Sequence, residues 1–138
     1  MFKRGILAAF SAASIASSAV AATPWSESGL PVTGNVTVPS GKSIVLDTSL
    51  SLTSLTVNGE VLCGDRSINL SAEWIMVHGR FVCGTAEERY TKKLQIVLKG
   101  SNQGVNKMGM GAKFLGAMGG GEIELHGEAR KSWTRLGE

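Results

Sequence analysis

Four polar residues recur at one place in a repeated pattern. Asn58, His78, Lys99 and His126 each stand directly before a glycine: Gly59, Gly79, Gly100 and Gly127. Amide, imidazole and ammonium groups give and take hydrogen bonds, the chemistry that holds sugar hydroxyls or carboxylates. Stacked in register, the four would form a polar ladder able to bind such a ligand. The competing reading is a solvated row beside a turn. Lys99 falls between the two histidines and repels a cation, so no metal site is expected. The two cysteines and two histidines also lack the close ligand spacing of a zinc site.

Carboxylates were weighed for glycoside hydrolysis, which needs two carboxyl groups across one bond. Glu87 and Glu88 are adjacent, so in a strand they point to opposite faces. Asp47 and Asp65 follow strand-like runs, where Asp commonly forms turns. Glu124 lies on the outer face of the last motif, with no evident partner. There is no Gly-x-Ser-x-Gly elbow, and no cysteine–histidine pair survives a disulfide. Trp25, Trp74 and Trp133 offer surfaces for sugar rings. Trp74 runs into an inward strand, however, and Trp25 and Trp133 lie near the chain ends, where capping is the simpler role. From Gly100 to Gly121 there are eight glycines interleaved with Met108, Met110 and Met118. A phosphate cradle needs a hydroxyl after its lysine and a helix behind it. Gly111-Ala112-Lys113-Phe114 has neither, which leaves a surface loop or a ligand-facing loop. No catalytic residue and no cofactor are expected.

The elements that would position these residues are repeats. Leu55-Thr56-Val57-Asn58-Gly59, Ile75-Met76-Val77-His78-Gly79, Ile96-Val97-Leu98-Lys99-Gly100 and Ile123-Glu124-Leu125-His126-Gly127 all read aliphatic, any, aliphatic, polar, glycine. Their starts lie 20, 21 and 27 residues apart. The first two match further, from Val57 through Gly64 against Val77 through Gly84. Upstream, Ser49–Thr53 resembles Ser67–Ser71 at an offset of 18, reconciled by an insertion near Ala72 and Glu73. Alternation points the aliphatic pair inward. The glycine is expected to turn the chain with a positive φ. Strand, turn, strand, turn in about 20 residues is one coil of a β-solenoid or parallel β-helix, stable only when stacked. The fold class is therefore read as all-β, a short solenoid with an N-terminal cap and a glycine-rich loop. An antiparallel β-sandwich is the rival. The cap is expected around Pro24, Trp25, Leu30 and Pro31. Cys63 and Cys83 are equivalent residues of adjacent coils. One strand spacing, about 4.8 Å, suits a disulfide, with two stacked thiols as the alternative.

Residues 1–22 read as a signal peptide: Lys3-Arg4, an apolar run, then Ala19-Val20-Ala21. Residues 23–138 form the single domain. Removing Lys3 and Arg4 turns 14 Lys+Arg into 12, against 11 Asp+Glu. No basic stripe remains, so nucleic acid is not an expected partner. No other stretch is apolar enough to span a membrane. Export makes a disulfide durable. Asn35-Val36-Thr37 and Asn69-Leu70-Ser71 fit glycosylation sequons, and such triplets are common by chance.

The ordered series Trp25, Pro39-Ser40-Gly41-Lys42, Val45-Leu46-Asp47, Cys83-Gly84-Thr85, Gly120-Gly121-x-Ile123-Glu124-Leu125-His126-Gly127 and Ser132-Trp133-Thr134-x-Leu136, with the repeats between, resembles the eight-glycine domain family. That family includes fibrocystin-like proteins and cell-surface proteins that bind or depolymerise hyaluronan. The resemblance covers nearly all of residues 23–138 and implies an extracellular β-rich module associated with polysaccharide. In the family the domain usually opens a longer protein and a parallel β-helix follows. Ending at Glu138, the chain is expected to be the domain alone or a truncated version. No catalytic residue is carried over. The leading expectation is an exported, secreted or surface module, non-catalytic, that contacts polysaccharide or caps a β-helix. The others are the leading part of a polysaccharide-degrading enzyme, and a structural surface protein or adhesin whose open end recruits another chain.

Overall fold

The computed structural model describes residues 21–100 and 106–130. Nearly all of the expected signal segment and the Ser132-Trp133-Thr134 piece lie outside the described residues. The chain is all-β. β1 (Thr23–Pro24) leads into a short 3-10 turn (Trp25–Glu27), then β2 (Thr33–Val38) and β3 (Ser43–Leu46). β4 (Leu50–Val57), β5 (Glu60–Cys63), β6 (Ile68–Ala72), β7 (Trp74–Val77) and β8 (Arg80–Cys83) follow. β9 (Leu94–Leu98), β10 (Phe114–Ala117) and β11 (Glu122–Leu125) complete the series.

The strands sort into two sheets, ordered β1-β3-β5-β8-β11 and β10-β7-β4-β6-β9, with β2 also on β4. Every ladder is parallel. The described strands therefore do not adopt the antiparallel sandwich. The chain passes from one sheet to the other and back, and each return lays a new layer beside the last. Leu55 pairs with Ile75 and Val61 with Phe81. That register stacks like on like: Val36, Leu55, Ile75 and Leu115 form one inward column, and Ile44, Val61, Phe81 and Ile123 another. Most of these residues belong to one buried cluster between the sheets, with Leu115 and Ile123 packed against it.

The six-stranded sheet is bent. In β4, Leu50 and Leu52 are buried, and so are Leu55 and Val57, so the alternation slips by one residue between the two pairs. β2 compensates with a register shift between Gly34 and Asn35. In the next layer the same bend separates β6 from β7 at Glu73, whose N–H donates to Thr53 O at 2.8 Å. The sheet thus has a first half (the starts of β2 and β4, then β6 and β9) and a second half (the ends of β2 and β4, then β7 and β10). The other sheet supplies a third face.

This register corrects the repeats read from sequence. Leu50 pairs with Leu70 and Ser51 with Ser71, an offset of 20 that needs no insertion at Ala72. Ile96 lies on Leu70, in the first half, and Ile123 lies on Phe81, in the third face. Neither is the equivalent of Ile75, which is Leu115.

Cys63 and Cys83 are joined, with Cα atoms 4.8 Å apart across adjacent layers and a sequence separation of 20. Closing a loop of that length stabilises by about 3 kcal/mol in the chain-entropy model. At the β1 end, Trp25 is 1% exposed and belongs to the core. Its Nε1–H donates to Pro31 O at 3.3 Å, and Leu30 packs against the core beside it. Asp47 ties this segment down. Its carboxylate accepts from the Ser26 N–H at 3.1 Å and also from the Ser26 hydroxyl. The hydroxyl contact is the main cause that holds the Asp47 carboxyl below its ordinary range.

The described part of the glycine-rich insertion lies over the outside of the second half. There Phe114 stacks on Trp74 with ring centroids 5.7 Å apart. Lys107 Nζ sits 5.8 Å from the Trp74 ring centre. A Cβ on Gly116 would stand 2.9 Å from Met110 Sδ, so the glycine makes room for that methionine. Met76, which points outward next to Gly116, is 0% exposed. The described part of the insertion is a small outer core, and Trp74 belongs to it.

Glycines at the corner after the second half are required by contact. Gly59 and Gly79 do not have a positive φ, contrary to the turn argument. A Cβ on Gly79 would lie 1.9 Å from Gly59 O. Gly127, by contrast, faces open space with an ordinary φ. Gly79→Ala is therefore expected to destabilise by about 3 kcal/mol or more, while Gly127→Ala stays within about 0.5 kcal/mol. Urea denaturation of both variants reads the difference. A second expectation concerns acid. The folded chain holds Asp47 ionised more firmly than the unfolded chain does. Its contribution is complete above the unfolded pKa and is lost as pH falls through the lower folded one. Solvent reaches the pair, so the effect is small. In melting curves recorded down through the carboxylate range, Asp47→Asn should show a shallower acid loss than the parent.

Candidate functional site

The corner after the second half places Asn58, His78 and Met118 in line. Their N–H groups donate to Val38, Val57 and Val77 carbonyls at 3.0, 2.8 and 3.0 Å. Both Asn58 and His78 are exposed. Lys99 is elsewhere: its N–H bonds Ala72 O at 2.7 Å, at the bend, and its Nζ donates to Ser51 Oγ at 2.9 Å. His126 is at the third corner, after β11, where its N–H bonds Cys83 O at 2.8 Å. The four residues of the expected ladder thus occupy three corners, and only Asn58 and His78 stack. The cause is the insertion, which delays the last layer and puts Met118 where the repeat suggested lysine.

Gly59, Gly79 and Gly121 directly follow this corner and form a column, because Glu60, Arg80 and Glu122 pair across the third face. At that column no side chain projects. A shallow groove of about 310 Å³ lies over the Gly59 and Gly79 part of it, lined by Lys42, Ser43, Asn58, Glu60 and Arg80 together with glycines. On the third face the next row is a charge network. Ser43 Oγ donates to Glu60 Oε1 at 2.7 Å. Arg80 Nη1 reaches Glu60 Oε2 at 3.1 Å, and Nη2 reaches Glu124 Oε1 at 3.4 Å and Glu122 Oε1 at 3.7 Å. His126 Nε2 stands 4.0 Å from Glu124 Oε2. One guanidinium therefore spans three layers. Exposed pairs of this kind contribute about 0–1 kcal/mol each, so the network organises the face more than it stabilises the fold.

Glu122 and Glu124 are pushed apart in acidity. The hydrogen bond with Glu124, and then its charge, raise the Glu122 carboxyl above its usual range. The same hydrogen bond lowers Glu124, with the Arg80 guanidinium and His126 adding to it. What the row offers is a dense set of donors and acceptors beside the shallow groove.

Sequence reasoning left Glu124 without a partner and did not single out Glu60, Arg80 or Glu122. The correct register of the last layer would have found them. Glu87 and Glu88 lie in an exposed loop, where the Glu88 N–H caps Thr85 Oγ1 at 2.9 Å. Asp65 is 3.8 Å from Lys92 Nζ. A larger cleft, about 470 Å³, lies at the β11 end, between Tyr90, Leu94 and Leu125. Among the described residues no cluster of His, Cys, Asp and Glu fits a metal ion, and no helix is long and apolar enough to cross a membrane.

Protein rliB of Dictyostelium discoideum is 29% identical over 123 residues, which cover 81% of this chain and 11% of that protein. A cell surface hyaluronidase of Danio rerio is 36% identical over 113 residues, 73% of this chain and 8% of that protein. The human cell surface hyaluronidase CEMIP2 is 43% identical over 54 residues, 38% of this chain and 4% of that protein. The chain thus spans a small fraction of the curated relatives it matches. No solved structure matches it. The model of the G8 domain, the eight-glycine family that the sequence resembles, matches residues 24–137, and the chain belongs to that family.

Proposed function

We propose that the chain is an exported, non-catalytic β-solenoid module that contacts extracellular polysaccharide. The layers are its coils, and the Trp25 segment is its N-terminal cap. The observation that carries the reading is the groove over Gly59 and Gly79. Its backbone is bare, so a chain of sugar rings can lie against it. Ser43, Glu60 and Arg80 on one side and Asn58 on the other line it and are placed to bond hydroxyls, with His78 stacked beside Asn58 at the same corner. The two cell surface hyaluronidases among the relatives support the choice of ligand class. Lys99 and His126, at other corners, drop out of this site.

A second reading has one observation in its favour. The matched region is 8% of the Danio rerio hyaluronidase. On that reading the chain is the leading part of a polysaccharide-degrading β-helix protein, and its coils start and cap the stack.

The test is a glycan array that includes hyaluronan, probed with the full chain after export, with circular dichroism on the same sample. Saturable binding is expected. Arg80→Ala and the pair Asn58→Ala and His78→Ala should each weaken it about tenfold or more, with the β spectrum unchanged. Lys99→Ala and His126→Ala should leave it alone. A folded chain that binds no glycan would overturn the first reading in favour of the second. Release of sugar fragments from hyaluronan by this chain would overturn the non-catalytic assignment.

A further inference from the structure

The methionines gather on one outer surface. Met76 lies in β7, and Met110 and Met118 belong to the insertion that returns beside it as β10. They fall in two neighbouring rows. In the first row Met76 stands beside Gly116. The Met110 sulfur lies over that glycine, 2.9 Å from where its Cβ would be. The turn that delivers Met110 is closed by its own N–H on Lys107 O at 2.9 Å. Gly116 thus sets a second thioether side chain alongside the first. In the next row Met118 stacks on His78, their N–H groups held by Val77 O and Val57 O. The His78 imidazole leans toward the same strand return: its Nδ1 is 3.7 Å from the Cβ position of Gly119, the residue after Met118. Neighbours across a row are one strand spacing apart, about 4.8 Å, and the rows are about 6.6 Å apart. Met76 is covered, Met118 is 38% exposed and His78 is exposed, so the group opens to solvent at the corner.

We propose that Met76, Met110, Met118 and His78 form a binding site for a soft monovalent metal ion, Cu(I). Three thioethers and an imidazole are soft, neutral donors, and such a set selects Cu(I) over the harder divalent ions. The cysteines are tied in the disulfide, so no thiolate competes. The lysine expected to repel a cation, Lys99, is at the bend, with its Nζ on Ser51. Lys107 and Lys113 are at the Trp74 end of the outer core, around Glu73. Lys107 Nζ is 4.0 Å from the Glu73 carboxylate, and Lys113 Cε and Glu73 Cγ both border Gly100. The competing role for these methionines is to fill gaps in the outer core, which calls for no ion. The site goes beyond glycan contact and does not depend on it, although His78 is common to both.

The experiment titrates the full chain after export with Ag(I), a redox-inert stand-in, and follows the methionine methyl signals by NMR. Cu(I) is then titrated against bicinchoninate as a competing chelator. One ion should bind saturably, and the Met110 and Met118 methyl signals should shift together. Met110→Leu and Met118→Leu conserve volume. Each should weaken Cu(I) binding about tenfold or more, at least what losing a supporting contact costs a metal site, and so should His78→Ala. His126→Ala, at the third corner, should leave it unchanged. If Met110→Leu disturbs the outer core, Met118→Leu at the exposed corner carries the test. A folded chain that binds neither ion saturably overturns the proposal. So does affinity that survives Met118→Leu, an equal loss from His126→Ala, or tighter binding of Zn(II) than of Cu(I).

Discussion

Parallel backbone ladders fix the distance between layers, and close contact at one corner fixes what may stand there. Where the chain leaves the second half, the carbonyl of one layer lies where the Cβ of the next would be. Only glycine satisfies that contact. Once Gly79 sits on Gly59, the residues after it have one register. Glu60, Arg80 and Glu122 then line up, the aliphatic columns close the interior, and Cys63 falls beside Cys83. The charge network is a consequence of this packing.

The sequence is legible where consecutive layers have equal length. Leu55 to Gly64 and Ile75 to Gly84 differ by a constant offset, and the structure stacks them in that way, disulfide included. It misleads where a layer is interrupted. A strand motif of five residues carries no mark of which face it belongs to. Ile96-x-Leu98 and Ile123-x-Leu125 fit the same pattern as Ile75-x-Val77 because any half-buried strand does. The insertion after Lys99 splits the last layer, and its return at Phe114 has lost the aliphatic–polar–glycine signature: Gly116 stands mid-strand and Met118 at the corner.

The polar row shows the same limit. Asn58 and His78 stack because they share an intact repeat. Arg80 was passed over because its partners come from a layer whose register was not visible. Its role depends on three carboxylates brought together by stacking, and no local motif announces that. Gly59 and Gly79 stand at a close contact between layers and not at a positive-φ turn, whereas Gly100 has a φ of 123°. Steric exclusion by a neighbouring carbonyl cannot be read from a single strand, whereas a positive φ can be guessed from a turn.

The disulfide joins the second and third full layers, well inside the stack. Consider a chain held by its C-terminal side and pulled. The last layer bears the load first, and its strands can peel away one after another along unprotected ladders. Peeling stops at Cys83, because the covalent link passes the force to β5 and the layer that holds it. In an oxidising setting the molecule thus divides into a part that can fray under tension and a part that keeps its shape. In a reducing one that boundary disappears, and the whole stack unzips as one body.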